Sequence, residues 1–322
     1  NAITIYHTSA LPPSVGGLLE FNNGLYAVWG AAVLQLNSDN QFDARLVGPA
    51  TCTGLGISPT DNRLVAGFGS SGYYHSTDGI TWTLVSNTAG GGPFTSSRNR
   101  IWSVQNDSTI TSASDVVTPT WTTYSNIGTS TRVITGIYTL GDAPVVAKED
   151  GLWMYDRAAN AFRDMTPEYQ RFAHPDNFTV GQEINGWLYL NTRRGIIRFN
   201  GFETEGLGDY FQNPAITNFG GRIKALASDG VWAYACVDTP TSDATTGKAV
   251  WLCPFTEIES PGGDELSIHT LHELQIGDVR NAISFYDGTN PLLIFSSRRF
   301  MATAASVDYY QPLAAYTRLP LR

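Results

Sequence analysis

The chain has 322 residues, of which 42% are hydrophobic and only 15% are charged, and it contains 32 glycines and 16 prolines. This composition excludes an intrinsically disordered protein and suits short strands joined by tight turns. The formal net charge of −9 repels a phosphate backbone, so the composition also argues against nucleic acid as a partner.

The cysteines, the histidines and the hydropathy exclude several kinds of site. Cys52, Cys236 and Cys253 form no complete disulfide set and lack metal-ligand spacing, so we expect small buried side chains. A disulfide between Cys236 and Cys253 is the alternative. We predict no metal and no cofactor, because neither a zinc pattern nor a nucleotide-binding motif occurs. No apolar run is long enough for a membrane helix, so we predict no membrane insertion.

Strands and turns alternate along the chain from the first predicted strand, residues 2–7. A turn residue followed by an apolar strand recurs, and its copies begin at Asn23, Asn62, Asn99, Gly141, Asn185, Asp229 and Asp287. Asn-Gly and Asp-Gly pairs adopt positive φ at low cost and join antiparallel strands tightly. We assign each copy to the connection between the first and second strands of a four-stranded unit.

A second series has a fixed period. Aromatic residues recur at steps of 40, 39, 41 and 40 residues, at Phe42, Trp82, Trp121, Phe162 and Phe202. In a strand-rich chain, a repeat of about 40 to 45 residues is the length of one blade of a β-propeller. The sequence therefore predicts an all-β chain, a seven-bladed β-propeller with four antiparallel strands per blade.

The whole chain, 1–322, is predicted to be one propeller domain. The blades are expected near 15–48, 52–88, 94–128, 132–167, 177–208, 216–274 and 279–310. We expect the N-terminal strand 2–7 to close the ring, since an open seam leaves an unpaired edge, and strand 312–319 is the alternative. The C-terminal residues carry no capping signal, so we expect the chain to be part of a larger protein.

One short motif carries a family resemblance. Residues 76–82, Ser-Thr-Asp-Gly-Ile-Thr-Trp, resemble the Asp-box of BNR-like β-propellers, in a form one residue shorter. The resemblance covers seven residues and places Ser76, Asp78, Gly79, Thr81 and Trp82 in the hairpin between the third and fourth strands. It implies that Asp78 accepts backbone hydrogen bonds, that Gly79 supplies positive φ and that Trp82 packs beneath the turn. Such a motif carries almost no information about catalysis.

Further resemblances concern the other repeats and the source. Residues 112–121 form a degenerate copy of the box that keeps Asp115 and Trp121, and the other repeats keep only the final aromatic residue. Segments 24–37 and 195–201 are similar to propellers of secreted bacterial proteins and of bacteriophage tails. The resemblance implies an extracellular or virion location.

Candidate binding residues fall on one predicted face, where the loops between the second and third strands and those between blades emerge. They are Glu149, Asp150, Tyr169, Arg171, His174, Arg193, Arg194, Tyr210, Arg298 and Arg299. Arginine beside aromatic rings binds carboxylates or stacks on sugars. The alternative is that these residues are solvated loop charges and salt links between blades.

The sequence favours a non-catalytic recognition or scaffold module of a larger extracellular, cell-surface or phage tail protein. Its expected ligand is a glycan or a partner protein. The alternative is a carbohydrate-active enzyme, a sialidase-like hydrolase or a lyase, with acids drawn from Glu149, Asp150, Glu168 and Asp209. The sialidase pattern is incomplete, because no F-R-I-P segment occurs and no Tyr-Glu pair can be placed. A purely architectural virion subunit is the third hypothesis.

Overall fold

A computed structural model describes residues 4–7, 15–38, 42–193, 195–206, 222–228, 233–238, 250–258, 265–268, 272–274, 281–286, 291–302 and 308–318. Within these ranges the regular structure is β-strand, apart from the short 3-10 helices Gly69–Ser71, Thr88–Gly90 and Pro167–Phe172. The described strands form six antiparallel four-stranded sheets and a further sheet of five strands.

The N-terminal strand β1 is Thr4–His7, and the next five sheets follow in chain order. The first contains β2 (Val15–Phe21), β3 (Gly24–Trp29), β4 (Ala32–Leu36) and β5 (Phe42–Val47). The second contains β6 (Gly54–Ser58), β7 (Arg63–Gly67), β8 (Tyr73–Ser76) and β9 (Thr83–Val85). The third contains β10 (Phe94–Ser97), β11 (Arg100–Asn106), β12 (Thr109–Ala113) and β13 (Thr122–Tyr124). The fourth contains β14 (Ile134–Leu140), β15 (Ala143–Lys148), β16 (Gly151–Asp156) and β17 (Ala161–Asp164). The fifth contains β18 (Gly181–Ile184), β19 (Trp187–Thr192), β20 (Gly195–Phe199) and β21 (Thr204–Gly206).

The last two sheets depart from this simple order. The sixth contains β22 (Arg222–Ser228), β23 (Ala233–Asp238), β24 (Val250–Ile258), β25 (Glu265–Ile268) and β26 (His272–Leu274), and both β25 and β26 pair with β24. The seventh contains β27 (Asn281–Tyr286), β28 (Pro291–Ala302) and β29 (Asp308–Arg318). Strand β1 pairs with β29, with Thr4 opposite Tyr316, so the N-terminal strand is the fourth strand of this sheet.

Five of the seven predicted turns are described by the structure, and each lies between the first and second strands of a sheet. Asn23 (φ 59°), Asn62 (φ 48°) and Asn185 (φ 51°) each precede the second strand of a sheet in the left-handed conformation. At the third sheet the positive φ, 53°, belongs to Arg98 instead of Asn99. The predicted turns at Asp229 and Asp287 lie outside the described residues.

Continuous apolar strands are covered on both faces. In β3 the four consecutive residues from Leu25 to Val28 are all buried, as expected for a strand between two neighbouring sheets. Tyr26 and Phe21 of the first sheet share one apolar cluster with Leu64 and Phe68 of the second sheet. The core is therefore a series of layers between adjacent sheets.

The aromatic series marks one place in the strand order. Phe162 packs in a cluster of rings with Trp102, Tyr124 and Tyr155, at centroid distances from 5.0 to 5.9 Å. Phe162 lies within the fourth strand β17, and Phe202 stands just before the fourth strand β21, but the Phe202 side chain is 89% exposed. The 40-residue period therefore predicts position in the unit and not burial.

The first strands of neighbouring sheets contact one another in chain order. Strand β2 contacts β6, and the series continues through β10, β14, β18 and β22 to β27. Strand β27 also contacts β2, and buried Phe285 packs against buried Leu25. The first and the last sheet therefore pack together.

The cysteines have separate environments. Cys52 is free and buried, and burial raises the pKa of its thiol to about 12, as expected for an unreactive core residue. The backbone register places Cys236 opposite Leu252 and Cys253 opposite Ala235, so the two cysteines are not register partners. In the described part of the chain, no helix is long and apolar enough to cross a bilayer.

Candidate functional site

The Asp-box segment forms the hairpin between β8 and β9, the third and fourth strands of the second sheet. Asp78 Oδ1 accepts hydrogen bonds from the backbone N–H of Thr81 at 2.7 Å and of Ile80 at 2.8 Å. Ser76 Oγ donates to the same oxygen and accepts from Gly79 N, and Gly79 has φ 73°. The backbone donors lower the pKa of Asp78 to about 2. These contacts match the roles predicted for Asp78 and Gly79.

Trp82 packs beneath the turn. Its half-buried ring packs against the apolar cluster between the first two sheets, as predicted. Thr81 is exposed and contributes its backbone N–H to Asp78. A Cβ atom at Gly79 would overlap the hydroxyl and the adjoining ring carbons of Tyr26, so this glycine allows the first sheet to approach closely.

The same acceptor recurs at Asp115 of the degenerate copy and in two hairpins for which the sequence predicted only an aromatic residue. An Asp or Asn oxygen accepts from backbone N–H groups two and three residues later at Asp156 and at Asn200, and Asp115 accepts from the N–H of Val117. Each stands at or just after the end of a third strand, which is a usable sequence signal. The distance from this Asp or Asn to the following aromatic residue varies, so the acceptor does not recur at a fixed spacing in the sequence.

A cavity of about 610 Å³ lies at the ends of the sheets that are opposite to these hairpins. It lies between the 3-10 helix Pro167–Phe172, with the residues that follow it, and the connection from β19 to β20. Four predicted residues line it together, namely Tyr169, Arg171, His174 and Arg193. The lining also includes Phe172, Asn177 and Thr192, which were not predicted from the sequence.

Asn177 joins the walls of this cavity. Its side chain is buried, and its Nδ2 donates to the backbone oxygens of Glu149 at 3.0 Å and Phe172 at 2.9 Å. Its Oδ1 accepts from the backbone N–H of Arg193 at 3.0 Å. One amide therefore connects a loop of the fourth sheet, the 3-10 helix and a loop of the fifth sheet. Asn in a loop is common, so no sequence signal singles it out.

A second amide supports the same segment. Asn191 Nδ2 donates to the Asp176 carbonyl at 2.9 Å, and its Oδ1 accepts from Val180 N at 2.8 Å. Both side chains are buried and hydrogen-bonded at both ends, which rigidifies the segment between the fourth and fifth sheets.

The cavity lining contains side chains that can donate hydrogen bonds to a ligand. Arg171 and Arg193 are exposed, and neither guanidinium has an ion-pair partner among the described residues. His174 Nδ1 accepts from the backbone N–H of Asp176 at 3.1 Å, which leaves Nε2 to carry the proton of the neutral ring. The Tyr169 ring packs edge-on to Phe178 at 5.5 Å, and burial raises its pKa.

The three predicted acids that the structure describes, Glu149, Asp150 and Glu168, are not among the residues that line the cavity. Glu149 pairs with Arg132 at 3.6 Å, and its side chain is only 13% exposed. Asp150 is buried, and its Oδ1 has no hydrogen-bond partner among the described residues. Glu168 Oε1 accepts from the Thr204 hydroxyl at 3.0 Å. These acids are therefore arranged around neighbouring loops instead of in one pocket.

Next to the acids, Lys148 is fully buried at the end of β15. Its Nζ donates to the carbonyl oxygens of Asp107, Ile127 and Thr129, and it lies 5.7 Å from the centre of the Trp153 ring. Burial lowers the pKa of Lys148. The ammonium joins the third and fourth sheets.

The remaining predicted residues are not part of the described cavity. Arg194, Asp209 and Tyr210 lie outside the described residues. Arg298 and Arg299 were expected in a loop, and this placement is wrong, because they lie within β28 opposite Pro312 and Gln311. The pairing of β28 with β29 continues as far as Ala302 and Asp308, so the hairpin turn comes later than predicted.

No protein-family model and no curated protein matches the chain. Solved structures do. The Cps50 (Swd1) β-propeller domain of Myceliophteria thermophila has a TM-score of 0.61 at 12% identity, covering 97% of this chain and 99% of that one. The RRP9 WD40 repeats have a TM-score of 0.64 at 10% identity, covering 98% and 100%. The chain has the β-propeller fold. YCF48 bound to D1 peptide is also similar to this propeller, with a TM-score of 0.60 at 10% identity, covering 99% and 98%.

Proposed function

We propose that the seven sheets are the blades of one closed ring. The first strands contact one another in sequence, and the series returns from β27 to β2. Phe285 and Leu25 bury their side chains together at this return, and β1 supplies the outer strand of the last sheet. A fourth strand taken from the other end of the chain is a usual way to hold such a seam. The hairpin geometry at Asp78 also supports membership of the Asp-box propellers.

We propose further that the propeller is a non-catalytic recognition module that binds a protein partner at the cavity beside the 3-10 helix Pro167–Phe172. The observation that carries this proposal is the combination of two available guanidinium groups with an exposed aromatic ring on a rigid wall. Arg171 and Arg193 lack ion-pair partners among the described residues, and Phe172 is 59% exposed. Arginine and aromatic side chains dominate the energetic centres of protein interfaces.

The rigidity of the wall favours binding. Asn177 fixes the backbone at both Phe172 and Arg193, so less conformational entropy is lost when a partner binds. One similar propeller is described as bound to a peptide, which is consistent with this use of the fold. A place in a larger extracellular, cell-surface or virion protein is part of the same proposal, and it rests on the sequence resemblances alone.

The test selects ligands from random peptides, so the partner need not be identified first. A library of such peptides displayed on phage is panned on the wild-type chain and on the triple variant Arg171→Ala, Phe172→Ala, Arg193→Ala. A matched variant, Arg157→Ala with Phe202→Ala, changes exposed residues in hairpins at the other end of the sheets. We expect peptides that bind the wild type and the matched variant but not the triple variant.

Three outcomes contradict the proposal. Peptides that bind the triple variant equally well would place recognition elsewhere on the molecule. Binding confined to a glycan array, with no peptide enriched, would favour a glycan ligand. Turnover of an arrayed glycan that is lost in Glu149→Gln or Asp150→Asn would instead support the enzyme hypothesis.

A further inference from the structure

The charged side chains that line the cavity are of opposite sign to the net charge of the chain. The whole chain has a net charge of −9, yet the described lining contains Arg171, Arg193 and His174 and no Asp or Glu. Two acids lie beside this lining: Glu149 pairs with Arg132 at 3.6 Å, and Asp176 Oδ2 lies 3.6 Å from His174 Nδ1. The two exposed guanidinium groups attract an anionic group within roughly 10 Å, the screening length at about 0.1 M salt.

The two cavity arginines differ from other arginines of the described chain. Six arginines form ion pairs with nearby carboxylates, namely Arg45, Arg63, Arg98, Arg132, Arg163 and Arg198. Arg171 and Arg193 have no such partner among the described residues, although both are exposed and line the same cavity. In the described part of the chain, the fold therefore leaves these two guanidinium groups without a carboxylate at the cavity, whereas it pairs six other arginines with one.

The donors fit a carboxylate. A guanidinium group presents two parallel N–H groups that match the two oxygens of a carboxylate, and such pairs are stronger than neutral hydrogen bonds. His174 adds an Nε2 donor, because its Nδ1 is occupied by the backbone N–H of Asp176. The rings of Tyr169 and Phe172 supply apolar walls, which an inorganic anion would not use.

The size of the cavity favours a peptide side chain over a small ion. Its volume of about 610 Å³ is within the usual range for small-molecule sites and exceeds the space that a lone carboxylate group needs. Resting on the proposed protein-binding function, we propose that this cavity recognises an acidic side chain, Asp or Glu, of the partner polypeptide. Arg171 and Arg193 bind its carboxylate, and Phe172 contacts the adjoining residues.

The test uses two immobilised pools of N-acetylated, C-amidated pentapeptides, Xaa-Xaa-Glu-Xaa-Xaa and Xaa-Xaa-Gln-Xaa-Xaa. We expect the wild-type chain to bind the Glu pool at least about 10-fold more tightly, a difference of about 1.4 kcal/mol. The double variant Arg171→Gln, Arg193→Gln should lose this preference, and Arg157→Gln should retain it. Thermal unfolding of all three proteins checks that each variant is folded.

The outcomes separate this inference from the function on which it rests. Equal binding of both pools, lost in the double variant, would overturn the carboxylate inference while leaving peptide recognition intact. Binding of neither pool would contradict both proposals. Competition by inorganic phosphate that equals or exceeds competition by acetate would show a general anion site and would overturn the preference for a carboxylate.

Discussion

The ammonium group of Lys148 donates a hydrogen bond to the backbone carbonyl of Ile127 at 2.9 Å in the interior of the protein. It also donates to the carbonyls of Thr129 and Asp107, so peptide dipoles of the third sheet and its exit loop stabilise a charge of the fourth sheet. A buried ammonium is costly unless each N–H group finds an acceptor, and here three acceptors are present.

Replacing Lys148 with Met should destabilise the protein. The substitution keeps most of the side-chain volume but leaves up to three buried carbonyl oxygens without their donor. Each unsatisfied group costs about 1–3 kcal/mol, so we expect a loss of at least about 2 kcal/mol in the free energy of unfolding. Urea denaturation measures this loss, and Lys224→Met, at a half-buried position of β22, is the control. Equal losses in both variants would refute a special role for the three carbonyls.

The Asp78 turn should stabilise the protein in a pH-dependent manner. The pKa of Asp78 is lowered from 3.8 to about 2, so the folded state favours the carboxylate. Such a group contributes stability above the unfolded pKa, and the contribution is lost as pH falls from about 4 towards 2. We expect the wild type to melt at a higher temperature than Asp78→Asn at pH 7, with the difference shrinking below pH 4. A difference that stays constant between pH 7 and pH 2.5 would be inconsistent with this assignment.

Gly79→Ala and Gly186→Ala should differ in cost although both glycines have a positive φ. Gly79 has φ 73° and Gly186 has φ 81°, and the left-handed conformation costs alanine about 1–2 kcal/mol at either position. A Cβ at Gly186 meets nothing within 4 Å, whereas one at Gly79 overlaps Tyr26. We expect Gly79→Ala to cost about 1–3 kcal/mol more in chemical denaturation, from overpacking. The double variant Tyr26→Phe with Gly79→Ala separates the two parts of the tyrosine. If it shows the same excess loss of stability, the ring and not the hydroxyl is the obstacle.

Removing residues 1–7 tests the closed ring. Strand β1 covers the edge of β29, so its removal exposes backbone donors and acceptors and opens the seam of the last sheet. We expect a lower melting temperature and a greater tendency to aggregate, measured by calorimetry and light scattering. Removal of residues 319–322, which follow β29, is the matched truncation. Two truncations with the same melting temperature as the intact chain would argue against closure by β1.

Local chemistry made much of the fold predictable. The Asn185-Gly186 pair adopts positive φ at low energetic cost, so its turn can be predicted from the sequence. The buried strand that follows it is continuous in apolar character, so it can be predicted as well. The end of β28 was not visible, because the pairing of Arg298 with Pro312 depends on where a later turn falls. Register over a long hairpin is a property of two segments, and one segment alone does not specify it.

The candidate site was predictable only in part. Loop position identified Arg171, His174 and Arg193, since charged residues between strands end up at the rim. It could not identify Asn177, whose importance comes from three backbone groups that approach it only in the folded chain. It also could not show that Glu149 is paired with Arg132 and so removed from the cavity.

The repeated turn acceptors have a consequence for how the surface of this propeller can vary. In each such hairpin the residue two places after the Asp or Asn gives only its N–H to the turn, and these residues are as different as Ile80, Ala158 and Phe202. The Asp or Asn side chain thus sets the conformation of the hairpin tip, and a different side chain, two residues later, is presented to the surroundings. Substitutions at the displayed position can change what the protein presents to its surroundings without altering the path of the backbone.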